Sequence, residues 1–368
     1  MSVAANTGRA RGECRALFAF DVAQSIDLAG AARAIHEPSS EGKLGHTHPA
    51  PAYFQFKPPP LRIVQRCEPL AIGRWSTAAT CEVVLFEFGA VLVSFAIEVE
   101  AEFADCIELS CALAVDTSLE DAARARALAL VHAIPAHVTK PGLAEVFEDY
   151  SVFRLPAHLL GDDAERFLSE SGPLLAGILR AERAPLSREV QADALSVRLQ
   201  YGPDDLTLVD WHAAVVLDDQ PEDVLRVLEY ANVQLLEMRF LDSQLDAALE
   251  DSYRSLSRRE TRHLFGPLAL RRDLRRLSSM QLEAAFLFER LGNTLKVSGD
   301  QFLARVLRQA GTRFRLQEWN DAAQRKLAAL DNVYDKLHDD ASTLRAEVLE
   351  VLIVLLIVFE IVLSLAGD

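Results

Sequence analysis

Asp205, Asp210 and His212 fall within one short stretch of the chain. Two acids beside a histidine are the residue types that general acid–base catalysis or metal-assisted hydrolysis needs. On an extended strand Asp210 and His212 project from the same face, so a hydrolase-type site is one reading of these three. The other is a solvated strand face, or a hydrogen-bonded contact with the next helix, and the surrounding sequence favours it. His46 and His48, two apart in a loop, have no third ligand nearby. Cys106 and Cys111 have four residues between them and no second pair to complete a zinc site. G-x-G-x-x-G and G-x-x-x-x-G-K-[ST] are both absent. No catalytic residue, cofactor or metal is expected.

The elements that must hold these residues read as follows. Arg15 to Val22 alternates as a strand, with Ser25 and Asp27 as caps for a short helix carrying Leu28, Ala31, Ala32 and Ile35. Prolines and glycines make 36–60 a loop. The strongest β signal is Cys81 to Ile97, interrupted at Gly89 by a tight hairpin or a bulge. Residues 118–133 read as a helix and Ala144 to Leu155 as another strand pair. Leu195–Gln200 and Leu206–Leu217 read as two strands around the turn Tyr201–Asp205. The expected fold class is α+β: an antiparallel-sheet head over 14–160, continued or interrupted by a helix and strand pair over 161–220.

From Pro221 the period becomes helical, with Glu222 and Asp223 favourable to the helix dipole. Val224, Leu228, Ala231, Leu235, Met238, Leu245, Leu249 and Leu256 follow three–four spacing, broken by Asp242. A second helix is expected over 265–292 and a third from Gly299 onward. Leu316, Ala323, Leu330, Leu337 and Leu344 recur every seven residues, the mark of a coiled-coil seam in a stalk over 221–347.

Residues 348–366 hold fifteen Val, Leu, Ile or Phe and two charges, Glu350 and Glu360. As a helix this stretch rises ~28 Å, close to the ~30 Å hydrocarbon core of a bilayer. It reads as one transmembrane helix. Arg325, Lys326, Lys336 and Arg345 lie upstream and only Asp368 follows, which keeps the body cytoplasmic. That places the protein in the cell's inner (cytoplasmic) membrane, or the mitochondrial inner membrane in a eukaryote. Glu360 has no cation within the span, so a protonated contact with another membrane helix is expected of it, with snorkelling to the far interface as the alternative.

The 368-residue chain has a net charge of −16, which argues against direct DNA binding. Its five cysteines form no C-x-x-C pair and read as reduced, mostly buried thiols. One segment is basic: Arg254, Arg258, Arg259, Arg262, Arg271, Arg272, Arg275 and Arg276. Pairing with acids such as Asp246, Glu250, Asp251 and Glu283 is its simplest use, and a ribosome or RNA contact is the alternative.

Phe86-Glu-Phe-Gly-Ala-Val-Leu-Val-Ser-Phe95, the helix order after Pro221 and the apolar-Glu-apolar tail Leu349–Leu363 together resemble the DUF155 family, in its bacterial-type form. The resemblance implies a membrane-tethered protein without established enzymatic chemistry, whose mitochondrial members support translation, and it carries no catalytic residues. The combined expectation is a non-enzymatic scaffold. Its head sits on an oligomerising helical stalk, and a homo-oligomer, a ribosome or a membrane protein would be its partner. An accessory subunit of a transporter or channel is the alternative, and a hydrolase using Asp205, Asp210 and His212 the weaker one.

Overall fold

The computed structural model describes residues 10–35, 39–41, 58–101, 103–161, 163–259 and 301–366, with 278, 282 and 285. Alternation in β1 (Ala10–Asp21) puts Cys14, Ala16, Phe18 and Phe20 on one face and Arg15, Leu17, Ala19 and Asp21 on the other. It lies antiparallel to β7 (Ala90–Ala101) on one side, from Ala10↔Ala101 to Asp21↔Ala90. On the other side it lies antiparallel to β9 (Phe147–Leu155), from Glu13↔Arg154 to Phe20↔Phe147. The first described strand is therefore an interior strand of the sheet.

The remaining strands are β2 (Ala23–Ile26), β3 (Ser39–Glu41), β4 (Leu61–Arg66), β5 (Ala71–Ile72), β6 (Trp75–Leu85), β8 (Val138–Pro141), β10 (Arg198–Leu199), β11 (Leu206–Val209) and β12 (Ala213–Leu217). Among the described residues they form a ten-stranded sheet ordered β10-β11-β12-β9-β1-β7-β6-β4-β3, with β5 against β6, and a separate β2–β8 pair. The expected all-antiparallel sheet is corrected to a mixed one, because β12 runs parallel to β9 from Ala213↔Ser151 to Leu217↔Leu155. A parallel neighbour requires a crossover, and residues 156–212 supply it.

One face of the sheet carries Phe18, Phe20, Val83, Leu85, Val91, Val93, Phe95 and Phe153. Four helices bury it: α1 (Leu28–Ala34), α2 (Phe103–Leu113), α3 (Ser118–Ala133) and α4 (Ala164–Arg180), which bring Ala31, Cys106, Leu109, Ala123, Ala127, Leu175 and Ile178 into the same core. Val84, Leu92 and Val152, on the opposite face, are equally buried. With water excluded from both sides, Val91-Leu92-Val93 reads as a continuous apolar run rather than an alternating one. At the β6–β7 turn Gly89 has φ +101°, and a Cβ there would meet the Ala23 carbonyl oxygen at 1.6 Å. The turn accepts glycine alone.

After α5 (Arg188–Ala194) the long strand expected over 206–217 is instead the tight hairpin β11–β12, closed by Asp210 N–H to Ala213 C=O at 2.9 Å. Asp210-Trp211-His212 form its bend, so Asp210 and His212 do not share a strand face.

α6 (Glu222–Arg259) begins on the second face of the sheet, with Tyr230 packed on Phe86 at 6.2 Å between ring centroids. The single helix expected from Gly299 onward is two: α7 (Gln301–Arg313) and α8 (Leu316–Ala366). They break at Arg315, whose φ is +53°, a left-handed turn that no helix continues through. The described chain divides into two units. One comprises residues up to Phe240 with Glu289–Glu318; the other comprises Leu241–Phe288 with Trp319–Asp368. In the second unit Leu241, Leu245 and Ala248 of α6 interlock with Ala323 and Leu330 of α8. Asp242, which breaks the α6 stripe, accepts from Lys326 at 2.6 Å.

The transmembrane span is corrected. Among the described residues no helix is long and apolar enough to cross a membrane. The apolar side chains described in that stretch are Leu352 to Ile357. With the span go the inner-membrane placement and the membrane as partner. The Glu360 side chain lies outside the described residues.

Candidate functional site

Asp210 sits in the β11–β12 bend with 0% of its surface exposed, where a bare carboxylate would be strongly unfavourable. Two guanidiniums neutralise it. Arg313, the last residue of α7, donates from Nε to Oδ1 at 2.7 Å, and Arg180, the last residue of α4, has Nε 2.5 Å from Oδ2. The Trp211 backbone N–H adds a bond to Oδ1 at 2.8 Å. Both arginines also reach Asp193 on α5, Arg313 from Nη1 and Nη2 at 3.1 and 2.8 Å. The result is two cations against two anions. Hydrogen bonds from Arg313 come first in holding the Asp193 carboxyl at about 2, below its ordinary value. Beneath the cluster the buried Tyr150 hydroxyl donates to the Asp210 carbonyl at 2.9 Å, and its ring meets Phe314 edge-on at 5.4 Å. The Arg315 guanidinium lies 5.6 Å over the Trp211 ring.

A general base needs a lone pair aimed at a substrate, whereas both Asp210 oxygens face arginine. The cluster fastens the ends of α4 and α7, together with α5, to one hairpin. The other two residues of the sequence-level trio are engaged elsewhere. Asp205 accepts from the Tyr201 and Gly202 backbone N–H groups and shapes the turn before β11. His212 is exposed, and its carbonyl accepts from Ser151 N–H at 3.0 Å.

A second charged layer, which the sequence reading missed, lies between the sheet and α6. Arg62, 8% exposed, bonds Glu229 of α6 and lies 3.1 Å from Glu82. Arg15 joins Glu82 to Glu13, and Arg154 joins Glu13 to Glu222 at the start of α6. Farther along, Arg239 pairs with the buried Glu148. Desolvation nevertheless raises Glu148 to about 7, with Arg239 working against it and Asp149 with it; burial also raises Asp21 to about 7. The visible signal was the charge at alternate positions inside apolar strands, Arg15, Arg62, Glu82 and Arg154, which a water-facing surface would explain equally well.

A cavity of about 510 Å³ opens beside this layer, with Glu13, Glu98, Arg154, Asp218 and Asp219 in its wall. Two of its acids serve the backbone: Asp219 accepts from Ala157 N–H at 3.1 Å and Asp218 from Gln220 N–H at 2.8 Å. Among the described residues no group of three or more His, Cys, Asp or Glu could hold a metal ion. His46 and His48 lie outside the described residues. Of the basic segment, Arg254 pairs with Glu250 at 2.5 Å and Asp251 at 3.8 Å. The side chains of Arg258, Arg259, Arg262, Arg271, Arg272, Arg275 and Arg276 lie outside the description. On the stalk stripe Ala323 and Leu330 are buried, Leu316 packs near Gly311, and Leu337 and Leu344 have no described side chains.

A family described as "Uncharacterized protein MJ0711, N-terminal domain" matches residues 11–223. The chain belongs to this family. The matched region runs from β1 to the first turn of α6, so it contains β1, β4 to β12 and the Asp193 and Asp210 carboxylates. The protein called MJ0711 in Methanocaldococcus jannaschii is 24% identical over 235 residues, covering 63% of this chain and 70% of that relative. No solved structure matches. The DUF155 resemblance is thereby corrected. An aromatic-Gly-β-branched run is what any tight hairpin of this kind requires, and an apolar tail interrupted by glutamate is no more specific.

Proposed function

We propose that the chain is an interaction protein that self-associates through its C-terminal helix, with the sheet domain as the body each copy carries. One observation supports this above the others. Six consecutive large apolar side chains of α8, Leu352 to Ile357, are each 49–61% exposed. Successive helical residues turn through about 100°, so six in a row surround the helix. One neighbouring helix covers only a stripe of about that width, whereas several copies of α8 bundled together cover the whole circumference. Each side chain so buried contributes on the order of 1–2 kcal/mol. Contiguous apolar exposure of this kind marks an interaction surface. The engagement of Asp205 and Asp210 in turn and ion-pair bonds supports an interaction role over the hydrolase alternative.

The test is the solution mass of the full chain by light scattering at micromolar concentration. The expected mass is a whole multiple, two or more, of 40.6 kDa. The double variant Leu352→Gln with Leu356→Gln should return a monomer with unchanged helicity. A monomeric parent, or a variant that assembles as before, rejects the proposal.

A further inference from the structure

Cys67 and Cys81 are fourteen positions apart in sequence and one diagonal step across a strand pair. β4 faces β6 with Gln65 opposite Cys81 and Arg66 opposite Thr80, and the ladder continues with Cys67 N–H to Ala79 C=O at 2.9 Å. The two cysteines are thus diagonal neighbours on one face of the sheet. The Cys67 thiol donates to the Ala78 carbonyl at 3.4 Å. Cys67 is partly exposed and Cys81 is buried. Burial comes first in raising the Cys81 thiol to about 11; the charge of Arg126 of α3, which donates to the Arg66 carbonyl at 3.4 Å, works against that rise. β6 is irregular between Thr77 and Cys81, where its register against β7 shifts, so the backbone on that side is free of a continuous ladder.

We propose that Cys67 and Cys81 form a reversible dithiol–disulfide site whose oxidant is a small-molecule disulfide. The partly exposed Cys67 thiolate attacks the oxidant, forming a mixed disulfide and releasing one small thiol. The Cys81 thiolate then attacks the Cys67 sulfur, expels the second small thiol and leaves a Cys67–Cys81 bond. Two protein thiols are oxidised, one small disulfide is reduced to two thiols, and both protons pass to those leaving groups. Diagonal strand neighbours sit farther apart than an unstrained disulfide prefers. The bond therefore forms with a local shift of the irregular strand and reduces readily, as regulatory disulfides do. The other close thiols, Cys14 and Cys106, are both 0% exposed, and burial comes first in raising each well above its ordinary value. No oxidant reaches them in the folded chain.

The experiment incubates the full chain with glutathione disulfide, alkylates free thiols and maps peptides by mass spectrometry. A linked Cys67–Cys81 peptide should form at least tenfold in excess of any other disulfide and disappear on adding dithiothreitol. In Cys81→Ala, Cys67 should instead accumulate the glutathione adduct, and in Cys67→Ser, Cys81 should stay alkylatable after unfolding. A persistent adduct on Cys67 of the parent protein, or a Cys14–Cys106 link forming first, overturns the proposal. The parent-protein map decides the matter even if a variant fails to fold.

Discussion

Arg313 donates to the Asp210 carboxylate across 103 positions of sequence, in a place where the acid meets no solvent. Without that guanidinium the buried anion would keep Arg180 as its one cation, with the Trp211 N–H. The hairpin bend and the end of α7 are each other's condition for folding.

Arg313→Leu should therefore cost about 3–5 kcal/mol, because it leaves a buried charge under-compensated. Asp210→Asn in the same background should recover part of that loss, and the double-mutant cycle should show coupling of 1 kcal/mol or more. Denaturant midpoints measure both. Additive effects would mean that the two side chains do not sense each other.

Acidification should stabilise the folded domain over part of the pH range. Asp21 and Glu148 titrate at about 7 when folded, against ordinary values of 3.8 and 4.5. Between about pH 4 and pH 7 the folded chain holds protons that the unfolded chain has released, so stability falls as pH rises through that window and levels off above it. The change amounts to roughly a few kcal/mol for the two groups together. Asp21→Asn with Glu148→Gln should flatten the profile of unfolding free energy from pH 5 to pH 8. A parent profile that rises over that range contradicts the assignment.

Gly89→Ala should be among the most damaging single changes in the sheet, costing about 4 kcal/mol or more. It forces a side chain onto a positive φ and a Cβ to within 1.6 Å of the Ala23 carbonyl oxygen. Thermal melting or soluble yield reports the loss. The same substitution at Gly142, where a Cβ meets nothing within 4 Å, serves as the control and should change the melting point little.

Local chemistry that acts over a few residues was legible in the sequence. Alternating side chains located β1, the glycine between two β-branched runs located the β6–β7 turn, and the three–four stripe located α6. The bend inside 206–217 was not legible, because Leu206-Thr-Leu-Val and Ala213-Ala-Val-Val-Leu are both good strand sequences. The bend between them is stabilised by arginines that close α4 and α7, far along the chain. The Arg62–Glu229 pair was hidden for the same reason: its partners are 167 positions apart, and a strand arginine carries no mark of which helix will cover it. The apolar tail misled in another way, since hydropathy alone does not distinguish lipid from other copies of a helix as the covering phase.

The interior position of β1 bears on how the chain is made. Synthesis releases this strand before both of its partners, and its two hydrogen-bonding edges are filled only when residues 90–101 and 147–155 have emerged. Until residues 90–101 emerge Leu17-Phe-Ala-Phe20 is an unpaired apolar strand, and until residues 147–155 emerge one of its edges stays open, the kind of segment that chaperones hold and that aggregates in their absence. Translation speed between β1 and β9 is then part of the folding problem, and fragments ending before residue 155 should require a chaperone to stay in solution.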